Sequence, residues 1–509
     1  MSMTTGDELG KSDVFMKIAL SLFPLAEEAV RQGMTLKEFE GGMLGGLLST
    51  GKLVTDRFLV SQGDGDLGET IVHPAVGSVS PESQEGNETR MIHRSREPAA
   101  RFLRTVFGEH EFSAYVYRDG ENRRDPIVRR PVDERLGIST DRYSPLLQEY
   151  SMLFCCEQAF HGAVDAFERV FRHRLSTDTL EKISQRMGTA ADEFLLTQAA
   201  PKKSEEGEIL VMTADGKGIP LVKSDAQRLN AFEEKAIRPG NRRMATVCSV
   251  YSVDAYYRTA EDVVAGLFRD RDDKRDSEES SGRPVPQHKR LIAKLPAVLE
   301  DLGDELVRGS ILALSWAARE VRLRRKKNQL LVRLMDGQHS LWSDADACLS
   351  DCDSENVIDV LDILHVSGYV GKAAKCLCTG KAAQEAFIRD RLLRILKGEV
   401  HAVIRGLRRM ATAQKLSEEK RADVDTACGY FTAHAHRMKY NEYLAAGLPI
   451  ATGVIEGACR HLVKDRLERT GMRWSTEGAQ AMLSLRSLKA SNAWDEFHKH
   501  FLNPTPLNA

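Results

Sequence analysis

Between Glu208 and Leu361 the chain breaks into short runs of β-branched and apolar residues, whereas the stretches before and after are patterned at helical spacing. That switch in period restricts the fold to one that sets a sheet among helices. The runs are Glu208–Val222 and Arg242–Tyr257, each bounded by Gly or charged turns, followed by Gln329–Met335 and Asn356–Leu361. A mixed α/β fold is expected. With 509 residues, 42% hydrophobic and 29% charged, the chain can build more than one buried core, which excludes a wholly disordered or collagen-like molecule. It contains no stretch of about 18 uninterrupted apolar residues, and Met1–Lys17 lacks the charge and apolar order of a secretion signal. A cytoplasmic protein with no membrane partner is expected.

Helical spacing of Ile18, Leu22, Leu25 and Ala26 indicates a helical N-terminal unit over 1–60. The Gly/Ser-rich composition from Ser61 to Asn87 points to a flexible connector over 61–100. Tyr115–Val128 reads as two strands around Asp119-Gly120-Glu121-Asn122, with Arg118, Arg123, Arg124, Arg129 and Arg130 nearby, either a solvated hairpin or one that faces DNA. From Ser144 to Gly188 the pattern is helical. The run Thr179, Leu180, Ile183, Met187, capped by Ser176 or Thr177, fits the second helix of a helix-turn-helix, so 101–200 is expected to bind DNA. Acid- and serine-rich Arg269–Arg290 reads as an exposed loop. The β-rich part then spans 205–370, a helical insertion 371–447, and a last segment with a carboxylate-bearing helix 448–502.

Two of the strand runs close on Asp-Gly, at Met212–Gly216 and Leu334–Gly337. An Asp leaving a buried strand exposes its oxygens, and the following Gly admits a ligand. A plain Asp-Gly turn accounts for either motif alone. A third acid, Glu456, opens a helix in Gly453-Val454-Ile455-Glu456-Gly457-Ala458-Cys459-Arg460, a setting costly for a charge unless it is paired or binds a metal. Three carboxylates on separate elements suit Mg²⁺, and two such ions about 4 Å apart activate an attacking oxygen and stabilise the leaving oxygen of a phosphodiester. Nine cysteines without a CxxC pair, Cys376 and Cys378 being separated by one residue and Cys348 and Cys352 by three, with no partner pair for either, fit reduced thiols, and no zinc is expected.

The segments ATGVIEGACRHLVKDRLERTGMRWSTEGAQAMLSLRS (Ala451–Ser487), LMDGQHSLW (Leu334–Trp342) and LDILHVSGYV (Leu361–Val370), with the order Asp215, Asp336, Glu456, resemble the ISKra family of bacterial insertion-sequence transposases. The resemblance implies a ribonuclease-H-like catalytic core interrupted by an all-α insertion and preceded by a mainly helical DNA-binding region. It also implies that Asp215, Asp336 and Glu456 hold Mg²⁺ or Mn²⁺, two ions in all. The implied partners are double-stranded DNA, at terminal inverted repeats and at a target, and further copies of the chain assembled on paired ends. Asp362-Ile363-Leu364-His365 matches a D(2)H signature of related transposases and makes Asp362 a rival to Asp336, with His365 beside it. Unlike members that carry a cysteine-bearing zinc ribbon, Tyr115–Pro126 has no cysteine.

The net charge of −2 gives no global sign of nucleic-acid binding, so the case rests on local charge. Ten basic residues, among them Arg389, Arg405, Arg408 and Arg409, face four acids between Ala386 and Arg421. Such helices can neutralise phosphates, or simply be solvated. Arg460 and Lys464 fall on the Glu456 helix face and can hold a phosphate or pair with Glu456. Arg473 and Trp474 follow, the tryptophan being either a stacking platform for a base or core. Two other readings use the same residues: a nuclease without strand transfer, and a non-catalytic DNA-binding regulator.

Overall fold

The computed structural model describes residues 22–74, 89–138, 141–231, 240–268, 282, 284–299, 305–350 and 355–502, which form a mixed α/β protein. The chain divides into two compact units, Met1–Phe154 with Phe160–Thr177 and Leu502–Ala509, and Cys155–Ala159 with Asp178–Phe501. Among the described residues no helix is long and apolar enough to cross a membrane.

The first unit is less helical than its sequence suggests. Residues 22–31 are helical, and helix Leu36–Val60 starts at a capping box in which Thr35 and Glu38 satisfy each other's backbone. Where a flexible connector is expected over 61–100, strands Thr70–Pro74 and Thr89–Arg94 pair antiparallel and Ala99–Thr105 pairs with Gly108–Ala114. Residues 75–88 of that segment lie outside the described residues, as does Ile18 of the expected first helix. The expected hairpin is present as Tyr117–Arg118 with Ile127–Arg129, and it joins a four-stranded sheet. Alternation explains what composition hid: Leu103, Phe112 and Ala114 point inward with Leu59 and Val132, while Glu109, Glu111 and Ser113 between them face out.

In the second unit, five strands form one sheet: β1 (Ile209–Pro220), β2 (Arg242–Val253), β3 (Gln287–Lys294), β4 (Leu330–Met335) and β5 (Val357–Leu361). Their spatial order is β5-β4-β1-β2-β3. β1, β2 and β3 run antiparallel, and β4 and β5 run parallel to β1. The helices used below are α1 (Thr177–Thr197), α2 (Gly309–Arg324), α3 (His339–Cys348), α4 (Ile363–Leu377), α5 (Lys381–Leu396), α6 (Val400–Ala413), α7 (Glu418–His434), α8 (Gly453–Ala458) and α9 (Thr476–Ala490). Leu210, Met212 and Leu331 pack under α2 and α3. Ile209, Val211, Val332, Leu334 and Val360 pack under α4 to α7. Both faces of the central strands are therefore buried, which is why their sequences read as continuous apolar runs.

Three expectations need correcting here. Arg269–Arg290 is not a loop throughout: 269–281 and 283 lie outside the described residues, but β3 begins at Gln287, its polar first half masking an apolar second half, Leu291-Ile292-Ala293. The run expected as a recognition helix is α1, in a different unit from the helix before it, and its Leu180, Ile183 and Met187 are core. Gly188 of α1 lies so near α9 that a Cβ there would sit 2.4 Å from Ala481 Cα. The helical insertion starts earlier than 371, at Ile363, because Asp362 caps α4 directly at the end of β5.

Candidate active site

Asp215 does not end its strand, as the Asp-Gly motif suggests; it lies inside the twelve-residue β1, paired with Val247 of β2. What ends there is the neighbour on the other side. Met335 of β4 pairs with Ala214 and with Leu361 of β5, so the next residue on each strand is an acid: Asp215, Asp336 and Asp362. The amide of Asp362 still donates to Met335 O at 3.0 Å, holding this row together past the last strand pair. Alternation puts Asp215 in phase with Ile209 and Val211, and Asp336 with Val332 and Leu334, on the face covered by the helical insertion.

Glu456 arrives from the far end of that insertion. Ile363 N donates to Ile450 O at 3.0 Å and Thr452 N donates to Asp362 Oδ1 at 2.9 Å, so the returning chain is stitched to the capping aspartate. One turn later, in α8, Glu456 faces the acids. Among the described residues, Asp362, His365 and Glu456 each offer a ligand atom within 4.8 Å of the others.

The electrostatics tie all five groups into one cluster. Burial, then the charges of Asp215 and Asp362, raise the Asp336 carboxyl above its ordinary range, opposed by the Gln338 amide and His365. Desolvation and the charges of Asp362 and Asp215 raise Glu456 likewise, although its side chain is open to solvent and not enclosed as its apolar neighbours suggest. His365 Nδ1 bonds Asp362 Oδ2 at 2.7 Å, and that bond, with the charges of Asp362, Asp336 and Asp215, lifts the imidazole to about 9. Its proton offsets part of the charge of the four carboxylates. No lysine or arginine among the described residues pairs with any of them.

Asp336 and Asp362 differ in what their oxygens have left to give. Asp362 is fully buried, and its Oδ2 accepts from both the amide and the ring of His365 while Oδ1 accepts from Thr452. Asp336 accepts on Oδ1 from the Gln338 amide at 2.9 Å and is partly open. Asp215 and Asp336 share one row and Glu456 faces it, but among the described residues the group whose ligand atoms converge within 4.8 Å is Asp362, His365 and Glu456, a donor set that differs from the three expected acids.

Of the expected DNA contacts, half the basic cluster is already paired: Arg389 with Glu385, Arg391 with Asp390, Arg394 with Glu399, Lys397 with Glu261 and Arg421 with Asp425. Arg405, Arg408 and Arg409 lie exposed on the outer face of α6, whose inner face buries Val403, Ile404 and Leu407. Arg460 and Lys464 are exposed, but a π-helical turn, Cys459–Lys464, follows α8 and breaks the regular spacing that would align them with Glu456; Arg460 faces Asp465 at 3.6 Å. Arg473 is exposed. Trp474 is not a platform for bases: it is buried, donates Nε1–H to Leu467 O, and has Arg466 over its ring at 4.8 Å.

Several site residues went unread in the sequence. Gly368, Tyr369 and Lys372 line a pocket with Leu364, His365 and Glu456, and their spacing of three, four and seven from His365 is a legible helix-face signal. Tyr430, from α7, stacks on Tyr369 with centroids 3.9 Å apart and rests against Gly337. Nothing in the local sequence marks it. No protein-family model matches the chain, and no curated protein matches it.

Proposed function

We propose that this chain is a DNA transposase of the ribonuclease-H-like type, cutting at the terminal inverted repeats of an insertion sequence and joining the 3′-hydroxyl ends to target DNA. The observation that carries the reading is the row of acids one step beyond paired Ala214, Met335 and Leu361, faced by Glu456. A sheet with three antiparallel strands followed by two parallel ones, ordered β5-β4-β1-β2-β3, supports a ribonuclease-H-like core. The resemblance of Ala451–Ser487 to ISKra transposases supplies the substrate class.

In this reading Asp215, Asp336 and Glu456 hold Mg²⁺ or Mn²⁺, which when bound activates the attacking oxygen and stabilises the leaving one. Asp362 fixes the start of α4, and with it His365, against the strand ends. Water attacks first at the element end, and the released 3′-hydroxyl then attacks the target. The exposed arginines of α6 provide sequence-independent grip on DNA phosphates. Assembly of copies on paired ends belongs to the same reading.

The test is a strand-transfer assay with a pre-cleaved 3′-hydroxyl inverted-repeat end and supercoiled plasmid in Mn²⁺. Joined products from the native chain, absent in Asp215→Asn, Asp336→Asn and Glu456→Gln, are expected. Cleavage without joining would leave a nuclease. Full transposition in cells by the same variants would remove catalysis from these residues.

A further inference from the structure

We propose that the pocket wall formed by Gly368, Tyr369 and Lys372 is a phosphate subsite for the strand held at the acid cluster, with Lys372 taking a phosphate beyond the one to be cut. This rests on the reading of the acids as a phosphodiester site. The wall runs along one face of α4, from His365 at the acids to Lys372 two turns on, a rise of about 10 Å at roughly 1.5 Å per residue. A strand leaving the acids along this face meets the lysine next.

Lys372 is held by an aromatic ring, not by a carboxylate. Its Nζ lies 4.8 Å from the centroid of Tyr369, which is itself clamped by the near-parallel ring of Tyr430. Among the described residues no acid pairs with Lys372. A cation–π contact orients an ammonium without cancelling its charge, and the N–H donors stay available to an anion. The wall has a second feature that packing does not require. Gly368 is exposed in mid-helix, where glycine weakens a helix relative to alanine. Nothing lies within 4 Å of the place its Cβ would occupy. What the missing side chain preserves is open space at the pocket, which a strand's backbone needs.

The experiment measures binding of fluorescein-labelled oligothymidine to the full chain by anisotropy in Ca²⁺ across a salt series. Lys372→Met should weaken binding about tenfold at low salt and reduce the slope of log affinity against log salt by about one. Lys372→Arg should restore most of both. Gly368→Leu should weaken binding comparably while its melting temperature stays at or above that of the native chain. Unchanged affinity and slope in Lys372→Met, or native binding in Gly368→Leu, overturns the subsite. If the native chain joins pre-cleaved ends to plasmid in Mn²⁺ while Lys372→Met binds normally, the subsite fails and the transposase reading stands. If binding depends on Lys372 but no cleavage or joining occurs, the transposase reading fails and strand binding at this wall remains.

Discussion

The ring of Tyr430 lies so close to Gly337 that a Cβ at that position would sit 2.3 Å from Cε2. Because Gly337 follows Asp336, the tyrosine buttresses the turn that presents the acid, and burial followed by the Asp336 charge pushes its phenol well above the usual range. Gly337→Ala should therefore cost about 1–3 kcal/mol of stability, as overpacking does, and lower activity more than that loss explains. In a Tyr430→Ala background the same substitution should be nearly neutral. A double-mutant cycle by urea unfolding checks this; strict additivity would show that the contact does not matter.

The saturation of Asp362 and the open oxygens of Asp336 give the two aspartates opposite signatures. Asp336→Asn removes a repelled charge, so the metal-free protein should melt at the same temperature or higher, and the rise in melting temperature on adding Mn²⁺ should vanish. Asp362→Asn should lower the metal-free melting temperature, because a cap contributes about 1 kcal/mol and the His365 and Thr452 bonds weaken with it. Thermal unfolding with and without Mn²⁺ decides. A native-like Asp362→Asn that no longer responds to Mn²⁺ would make Asp362 the ligand.

Binding of duplex DNA should report which arginines are free. Arg405→Ala and Arg409→Ala, on the outer face of α6, should each reduce the salt slope of affinity by about one. Arg394→Ala, whose guanidinium is bonded to Glu399 at 2.8 Å, should leave the slope unchanged. Equal losses at all three positions would mean that the ion pairs open on binding.

His498 predicts an acid limb of stability that is independent of the acid cluster. Burial pushes its imidazole down to about 4, with Asp495 opposing, and its ring lies 5.1 Å from that of Trp494. The folded-state value is below the unfolded one, so the stabilisation is present in full above 6.5, where both states are neutral. As pH falls from 6.5 to 4 the unfolded chain takes up the proton first, and stability drops by on the order of 3 kcal/mol before levelling off. Unfolding free energies measured across that range should show the drop, and His498→Leu should flatten it.

The sequence was most readable where burial is two-sided. β1, β2, β4 and β5 stand out as apolar runs because helices cover both faces, whereas β3 opens with Gln287-His288-Lys289-Arg290 and reads as loop. The acids were legible as a set but not in their geometry. An Asp-Gly pair looks like a strand end, yet Asp215 lies in mid-strand, because β2 continues beside it after β4 has stopped. Trp474 was ambiguous because a tryptophan's burial depends on partners, Leu221 and Leu467, that are distant or unmarked in local pattern. Tyr430 was silent for a similar reason: its role comes from α7 folding back over Gly337, a contact between residues far apart in the chain.

The seam where Ile363 meets Ile450 and Asp362 meets Thr452 brings the two ends of the whole helical module to one spot beside the acids. To the sheet, everything between is a closed loop, whose internal length costs little entropy once its mouth is fixed. Helices can therefore lengthen, shorten or be exchanged between related chains without moving a carboxylate, provided that those few bonds survive. The helical module can diversify while the row of carboxylates stays in place.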